Sequence, residues 1–310
     1  MLAARPAPDP AAGPGQAVVR ASAADVLCVD TAIRAGRATD FFPVRPPYVP
    51  GNGIAGRVTS AGDGVDSSWL GRAVVAHTGG PGGSGGYAEQ AAVDAAELIP
   101  VPDGLGLPEA AALLHDGSTA VGLLGGTGVQ PGEHVLVTAA AGGMGVLLVQ
   151  LALAAGGQVI GAARGERKLA AVRQAGGQAV DYSEPGWTGR VLELTGGQGV
   201  DVVFDGAGGE LGAASFGIVA RGGRFSAHGM SDGGFARLDP AEARRRGVTV
   251  TGIGEYEPAV FRRRAAAALA AAADGRIRPV IGQAYPLAGA ADAHAALESR
   301  TAVAKTLLRP

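Results

Sequence analysis

The sequence predicts an α/β fold in two parts, a small β-rich domain and a doubly wound parallel sheet. Three observations carry this expectation. A strand, a glycine turn and a helix follow one another without interruption over residues 135–156 (VLVTAAAGGMGVLLVQLALAAG). Further strand, helix, strand units come after it, and short valine-containing strands broken by Pro/Gly loops come before it. Alternating strands and helices are the signature of a parallel sheet with helices on both faces.

Taken in order, QAVVRA, GIAGRVTSAG and RAVVAHTG read as strands of the first domain, linked by loops such as FFPVRPPYVPGNG. The glycine run Gly79 to Gly86 is expected to be its most flexible point. Pro108 to Leu124 reads as a helix entered at a proline and closed by Gly125 and Gly126. A Val-Gln-Pro-Gly-Glu turn then leads into the strand Val135, Leu136, Val137. Gly142 and Gly145 allow close backbone approach, and Val146 to Ala155 place leucine, valine and alanine at helical spacing. A helix start offers free N–H groups and about half a positive charge, which suits a pyrophosphate.

The glycine pattern is A-x-G-x-x-G across residues 140–145, with Ala140 where the dinucleotide fingerprint has its first glycine. In a chain with 53 glycines a pair three apart is common, so context decides. The context is a second strand at Gln158 to Ala162 and a third, VDVVFDGAGG at 200–209, that ends in another glycine turn. A strand at Gly247 to Gly252 and an alanine-rich helix from Pro258 to Asp274 close this part. The tail has a strand near Tyr285, a helix at Gly289 to Ser299 and a strand at Ala302 to Leu308, a pattern that suits a return to the first domain. The expected domains are therefore 1–104 completed by 277–310, and 105–276.

Composition bounds the function. With 310 residues, 47% apolar and 17% charged, the chain can bury a large core. A formal net charge of -2 gives no global attraction to nucleic acid or to an anionic membrane, so neither is expected as a partner. Met1 to Gly15 lacks the basic start and apolar core of a signal peptide. The single cysteine, Cys28, excludes an intrachain disulfide and reads as a small buried hydrophobe in a strand. The expected location is the cytoplasm.

The motifs VDTAIRAG (29–36), YVPGNGIAGRV (48–58), LLHDGSTAVGLL (113–124), VTAAAGGMGVLLVQLA (137–152), VDVVFDGAGG (200–209) and GGRFSAHG (222–229) resemble the zinc-independent branch of the medium-chain dehydrogenase/reductase superfamily, close to NADPH-dependent quinone oxidoreductases and enoyl reductases. The resemblance covers nearly the whole chain. It implies a Rossmann domain and a GroES-like β-barrel domain that holds the active-site cleft. Pro6 to Arg20 resembles the second strand region of such proteins, so the barrel is expected to be shortened at its N-terminus.

In a Rossmann fold an acid about 20 residues past the glycines receives the ribose 2′-hydroxyl of NAD, whereas a base there favours the 2′-phosphate of NADP. Counting from Gly142 lands on Ala162, Ala163 and Arg164, and the segment ARGERK supplies Arg164, Arg167 and Lys168. The expected cofactor is NADPH. The resemblance implies Lys168 and Tyr182 as contacts of the 2′-phosphate with Arg164 assisting, while a solvated helix face is the better reading of Arg167. Glu166 stands close enough in sequence to blunt this charge. Ala140, Gly142, Gly143, Met144 and Gly145 are assigned to the pyrophosphate, and Gly206 and Ala207 to cofactor approach at a strand end. Ser226, His228 and Gly229 are implied at the nicotinamide ribose.

Zinc-dependent relatives carry Gly-His-Glu where this chain has Gly51-Asn52-Gly53, so histidine and acid are both replaced and no metal is expected. What remains is hydride transfer to an electron-poor carbon, with the protein supplying position. Asp30, Tyr48, Asn52 and Thr119 are the candidates for holding substrate and nicotinamide. Asp30 matches the acid of the family and Thr119 a position beside the nicotinamide, whereas Leu27 and Ala32 replace an asparagine and a tyrosine that relatives often carry. Tyr48 reads equally well as a loop-packing aromatic, and His115, although next to Asp116, as a cap or surface group. The expected substrate is a small quinone or enone. An enoyl-thioester reductase and a non-catalytic NADPH-binding protein are the alternatives. The resemblance also implies a homodimer paired through Val248 to Thr251.

Overall fold

The computed structural model describes residues 2–37, 43–78, 85–254 and 256–310; most of the glycine run that begins at Gly79 therefore lies outside the described residues. The chain packs into two units, Met1–Ser118 with Ala265–Ala273 and Pro279–Pro310, and Thr119–Arg264 with Asp274–Arg278. The first unit opens with β1 (Gln16–Val26), α1 (Cys28–Arg34), β2 (Gly53–Ala61), β3 (Ala73–His77), β4 (Gln90–Asp94) and β5 (Leu98–Pro100). Helix α2 (Leu107–Thr127) carries the chain into the second unit. There follow β6 (His134–Thr138), α3 (Gly143–Ala154), β7 (Gln158–Ala163), α4 (Glu166–Gln174), β8 (Gln178–Asp181) and α5 (Trp187–Leu194). Then come β9 (Val200–Asp205), α6 (Gly209–Gly217), β10 (Val219–Ala227), α7 (Pro240–Arg246) and β11 (Thr249–Thr251). Helix α8 (Pro258–Ala273) leads back, and β12 (Ile281–Pro286), α9 (Ala290–Glu298) and β13 (Lys305–Arg309) complete the first unit.

In the first unit β1 is the hub of a seven-stranded sheet. It pairs antiparallel with β2 along most of its length, with β4 over Gln16 to Arg20 and with β13 over Ala24 to Val26. Two register shifts against β2 bend it, which is how one strand serves three partners. The small apolar residues the sequence supplies here, Ala17, Val19, Ala24, Ile54, Val74 and Val93, form the core with Leu308 of β13. The return of the C-terminal strand to this sheet places Lys305 beside Asp25.

The units divide within α2 at Ser118/Thr119, not at residue 104, and within α8 at Arg264/Ala265. The physical reason is close packing. A side chain at Gly117 would stand 2.8 Å from Cβ of Ala268, and one at Gly53 would stand 2.5 Å from Leu114. The front of α2 and the back of α8 thus belong with the first sheet.

The second unit holds a six-stranded parallel sheet in the order β11-β10-β9-β6-β7-β8. In chain order this is 3-2-1-4-5-6, the doubly wound arrangement that the alternating pattern predicts. The order reverses between β6 and β9. There the carboxyl ends of two strands turn opposite ways and leave a crevice for a ligand.

Cys28 departs from its reading. β1 ends at Val26 and Leu27 caps α1, so Cys28 falls in the first turn of the helix and is exposed.

Candidate active site

Two groups of residues carry the chemistry, one in each unit. In the second unit β6 runs into a loop turned by Ala139, which holds a left-handed backbone (φ 50°). Ala140 has no such strain, which explains why alanine serves at the first position of the glycine pattern. Gly145 is different, because a Cβ there would stand 2.4 Å from the Ala139 carbonyl oxygen. Only glycine lets α3 start this close to the strand. Helix α3 begins at Gly143 behind a Gly142 cap that has no side chain, so the amides of Gly143, Met144 and Gly145 have no acceptor within the helix. This cradle fits a pyrophosphate.

Across the crevice, Asp205 at the end of β9 is fully buried. Its Oδ1 accepts from Thr138 Oγ1 (2.8 Å), Ala207 N (3.2 Å) and Gly208 N (3.0 Å), while Oδ2 is buried without a partner. Burial raises its pKa, outweighing these donors. Asp205 thereby ties the β6 end to the β9 loop. The amide of Ala207 is spent in this network and its side chain is fully buried, which leaves Gly206 as the partly open residue of the pair. Gly229 packs on Gly206 so closely that a Cβ would lie 1.9 Å from its carbonyl oxygen. His228 is buried, its Nδ1 lies 3.1 Å from the Ser226 carbonyl oxygen, and burial pushes its pKa down to about 4, so it is neutral.

At the end of β7, Arg164 is exposed and Lys168 half-buried. Glu166 pairs with Arg173 at 2.6 Å. An acid lies near Arg164 all the same. Asp181 at the end of β8 accepts from Gly165 N (2.9 Å) and from Ser183 N (2.9 Å) and Oγ (2.5 Å). Burial, the largest single influence, raises its pKa, but Ser183, Gly165 and Arg164 together outweigh it and the pKa is lowered. Tyr182 meets the ring of Trp187 edge-on.

In the first unit Asp30 is buried in the first turn of α1. Its Oδ1 accepts from Asn52 Nδ2 at 2.7 Å, and its Oδ2 accepts from Leu27 N at 2.9 Å and Tyr87 Oη at 3.1 Å. Tyr87 Oη also lies 2.9 Å from Nε2 of His294 on α9. Burial pushes Asp30 up to about 6 and His294 down to about 4. Tyr48 is half-buried, and burial together with the charge of Asp30 raises its pKa.

Beside this network stands a second. His115 Nδ1 lies 2.9 Å from Oδ2 of Asp25, and Lys305 Nζ lies 3.4 Å from the same oxygen and 3.2 Å from Asp116 Oδ2. Asp25 and Lys305 are buried. Desolvation opposes both charges, yet His115 and Lys305 hold Asp25 below the usual carboxylate range, and Asp116 and Asp25 raise Lys305. A side chain at Gly53 would stand 2.7 Å from His115 Cε1 and 2.9 Å from Asp25 Oδ1.

Residues 13–103 match the alcohol dehydrogenase GroES-like domain and residues 143–271 the zinc-binding dehydrogenase domain. A quinone oxidoreductase of Pseudomonas aeruginosa is 33% identical over 308 residues, covering 96% of this chain and 92% of its own. The chain belongs to the medium-chain dehydrogenase/reductase family. Within it, the likeness runs to the zinc-independent quinone oxidoreductases. A 2-haloacrylate reductase of a Burkholderia species is 36% identical over 225 residues, 71% of this chain and 67% of its own. A mycobacterial relative solved in complex with NADPH superposes with a TM-score of 0.87 at 33% identity, covering 99% of this chain and 95% of that one.

Against this family frame the structure brings Asp30 and Asn52 into direct contact, with Tyr48 within reach of the Asp30 charge. Thr119 is half-buried on α2, in the second unit. His115 is not a cap or surface group: it sits inside α2 with its ring on Asp25. Tyr87, His294, Asp25, Lys305, Asp181 and Asp205 were not singled out by the sequence. Lys305 carried one signal, being one of two lysines in the chain and placed close to Val303, Ala304, Leu307 and Leu308.

Proposed function

We propose that this protein is an NADPH-dependent reductase that delivers hydride to the electron-poor carbon of a quinone or an α,β-unsaturated carbonyl compound without the help of a metal. The observations that carry the reading are the glycine cradle, within the second unit, and the Asp30–Asn52 contact, within the first. NADPH supplies the hydride. The α3 amides and the loop Ala140 to Gly145 hold its pyrophosphate, Arg164 and Lys168 with Tyr182 hold the 2′-phosphate, and Gly206, Ser226, His228 and Gly229 line the nicotinamide ribose. The relative named for 2-haloacrylate acts on an activated alkene, which supports the enone class.

Asn52 carries the substrate side. One hydrogen of its Nδ2 is given to Asp30 Oδ1, and this fixes which end of the amide is nitrogen. The second N–H is a donor for the substrate carbonyl oxygen, where negative charge grows as hydride arrives. Tyr48 stands by as a second donor and Thr119 positions the nicotinamide. Metal-free chemistry is supported by the donor set: Asn52 and Gly53 stand where zinc-dependent relatives carry histidine and glutamate.

Oxidation of NADPH by a panel of naphthoquinones, enones and acyl thioesters tests the reading. Turnover of the first two classes is expected. Turnover of acyl thioesters alone points to an enoyl-thioester reductase, and tight NADPH binding with no turnover refutes an enzymatic role. The outer edge of β11 has no partner strand among the described residues, and its three residues are exposed. With exposed Val250 on it and exposed Ile253 just after it, this edge supports a homodimer, to be read by sedimentation equilibrium.

A further inference from the structure

We infer that Tyr87 and His294 are positioning residues which lock Asp30, and through it the Asn52 amide, by a hydrogen-bonded chain that reverses direction when Asp30 takes up a proton. The inference rests on the reading of Asn52 as the donor to substrate. The four groups come from four separate stretches of the first unit, and each link is a contact of 3.1 Å or less: Asn52 to Asp30, Asp30 to Tyr87, Tyr87 to His294. All four residues are buried, His294 completely.

The far end of the chain explains the reversal. Nδ1 of His294 is buried and has no hydrogen-bond partner, so nothing but Tyr87 sets its tautomer. With Asp30 ionised, Tyr87 donates to Asp30 and His294 Nε2–H donates to Tyr87. When Asp30 is protonated, its own O–H donates to Tyr87 Oη, the Tyr87 O–H donates to Nε2, and His294 carries its hydrogen on Nδ1. One proton is taken up and none is lost: Nδ1 gains it, Nε2 gives one to Tyr87, and Tyr87 gives one to Asp30. Burial keeps His294 neutral down to about pH 4, so the ring is able to act as donor or acceptor across the range in which Asp30 titrates. The ionised form grips Asn52 more strongly, because a hydrogen bond to a charged acceptor is about twice as strong as a neutral one.

Other charges face the chain. Asp25 of β1 raises the Asp30 pKa and His115 of α2 lowers it. Tyr48 also faces Asp30, and Arg34 of α1 and Glu298 of α9 act on His294 in opposite senses. Arg34 and Glu298 pair with each other.

Tyr87→Phe removes the central hydroxyl and keeps the ring. In the full-length protein the acid limb of kcat/KM for an enone, expected near pH 6 in the parent, moves up by about one pH unit, while the Kd for NADPH stays within about twofold. A superimposable pH profile overturns the inference. Because a destabilised Tyr87→Phe would leave this unread, a second measurement uses the parent protein. The imidazole nitrogen resonances of His294 are expected to pass from the Nε2–H to the Nδ1–H tautomer between pH 8 and pH 5, and one tautomer throughout refutes the reversal. Asn52→Ala separates the two levels. If it leaves kcat/KM unchanged, the reading of Asn52 falls and the inference with it; if it lowers kcat/KM while Tyr87→Phe leaves the profile in place, the positioning chain alone falls.

Discussion

The two units build their sites in opposite ways. In the second unit the residues proposed to face a dinucleotide lie on turns at the carboxyl ends of β6, β7, β9 and β10, and the proposed contacts are mainly backbone. Glycines there permit contact, and Asp205, the one buried acid of that unit among the described residues, is used to tie loops together. In the first unit the candidate site is made of side chains, Asp25, Asp30, Asn52, Tyr87, His115, His294 and Lys305, drawn from distant stretches and, His115 apart, buried as ions or hydrogen-bonded polar groups. A backbone site tolerates sequence change wherever the fold is kept. A buried polar site depends on every partner, since leaving one charge unpaired costs more than the pair contributes.

The largest effect should therefore come from the first unit. Lys305→Met deletes the ammonium shared by Asp25 and Asp116 and leaves Asp25, fully buried, with His115 alone. The expected loss is about 3–5 kcal/mol, read as a fall in the thermal midpoint. Above the usual carboxylate range the loss is full, because the depressed Asp25 contributes stability there. The loss shrinks as the pH falls through the lowered pKa of Asp25 and the carboxylate is neutralised. An unchanged midpoint at neutral pH would show that the ion cluster is replaceable, and the contrast between the units would go with it.

Asp30→Asn sharpens the comparison because it should stabilise while it inactivates. Asp30 has its pKa raised from 3.8 to about 6. The stability contributed by its neutral form is complete below 3.8 and lost as pH rises through 6, so at pH 7 the folded protein carries a cost of about 3 kcal/mol. An amide is neutral at every pH and removes that cost. Its oxygen keeps the Leu27 and Tyr87 donors, which turns its NH2 toward Asn52 and forces the Asn52 amide to flip. A higher thermal midpoint at pH 7, no gain near pH 4, and a lowered kcat at saturating NADPH are expected together.

How much of each site was legible in the sequence follows from the same contrast. The glycine cradle could be read because strand, turn and helix are neighbours in sequence, and their side-chain periods differ visibly. That this sheet is parallel and doubly wound followed from the alternation of elements, whereas its strand order and the reversal between β6 and β9 come from the structure. Asp30 and Asn52 could be singled out by motif, but not their contact, because the antiparallel sheet alone brings residues 30 and 52 together. Tyr87, next to a glycine run, and His294, in an alanine-rich helix, give no local sign of meeting. They converge because the last strands return to β1, and so does Lys305. Cys28 was misread because the strand stops at Val26 and the residue falls in the first turn of α1, and His115 because its partner Asp25 lies 90 residues away on β1.

Gly145→Ala carries the comparison into the second unit. The added Cβ would meet the Ala139 carbonyl oxygen at 2.4 Å and Ala140 backbone at 2.8 Å, and backbone does not give way as a flexible side chain does. The expected cost is about 1–3 kcal/mol. NADPH binding, followed by fluorescence, should weaken more than stability suggests, because the α3 amides are displaced. Equal binding by parent and variant would mean that the cradle is not where the pyrophosphate lies.

The smallest effect concerns cofactor choice, where side chains enter the backbone-built unit. Arg164 is exposed in the turn after β7, and Asp181 at the end of β8 holds the Gly165 amide of that turn, its carboxylate within reach of the Arg164 charge. A 2′-phosphate would thus meet a cation partly offset by a neighbouring acid. Arg164→Ala and Lys168→Ala should each lower the ratio of kcat/KM for NADPH over NADH by about tenfold, the loss of one charge-assisted contact, with little change for NADH. Asp181→Asn should move the ratio the other way by a smaller factor, because it removes the repulsion and keeps an acceptor for the Gly165 amide. If both cation variants leave the ratio where it was, the 2′-phosphate is held elsewhere. If Asp181→Asn lowers it, the acid serves the phosphate by fixing the turn more than it opposes it by charge.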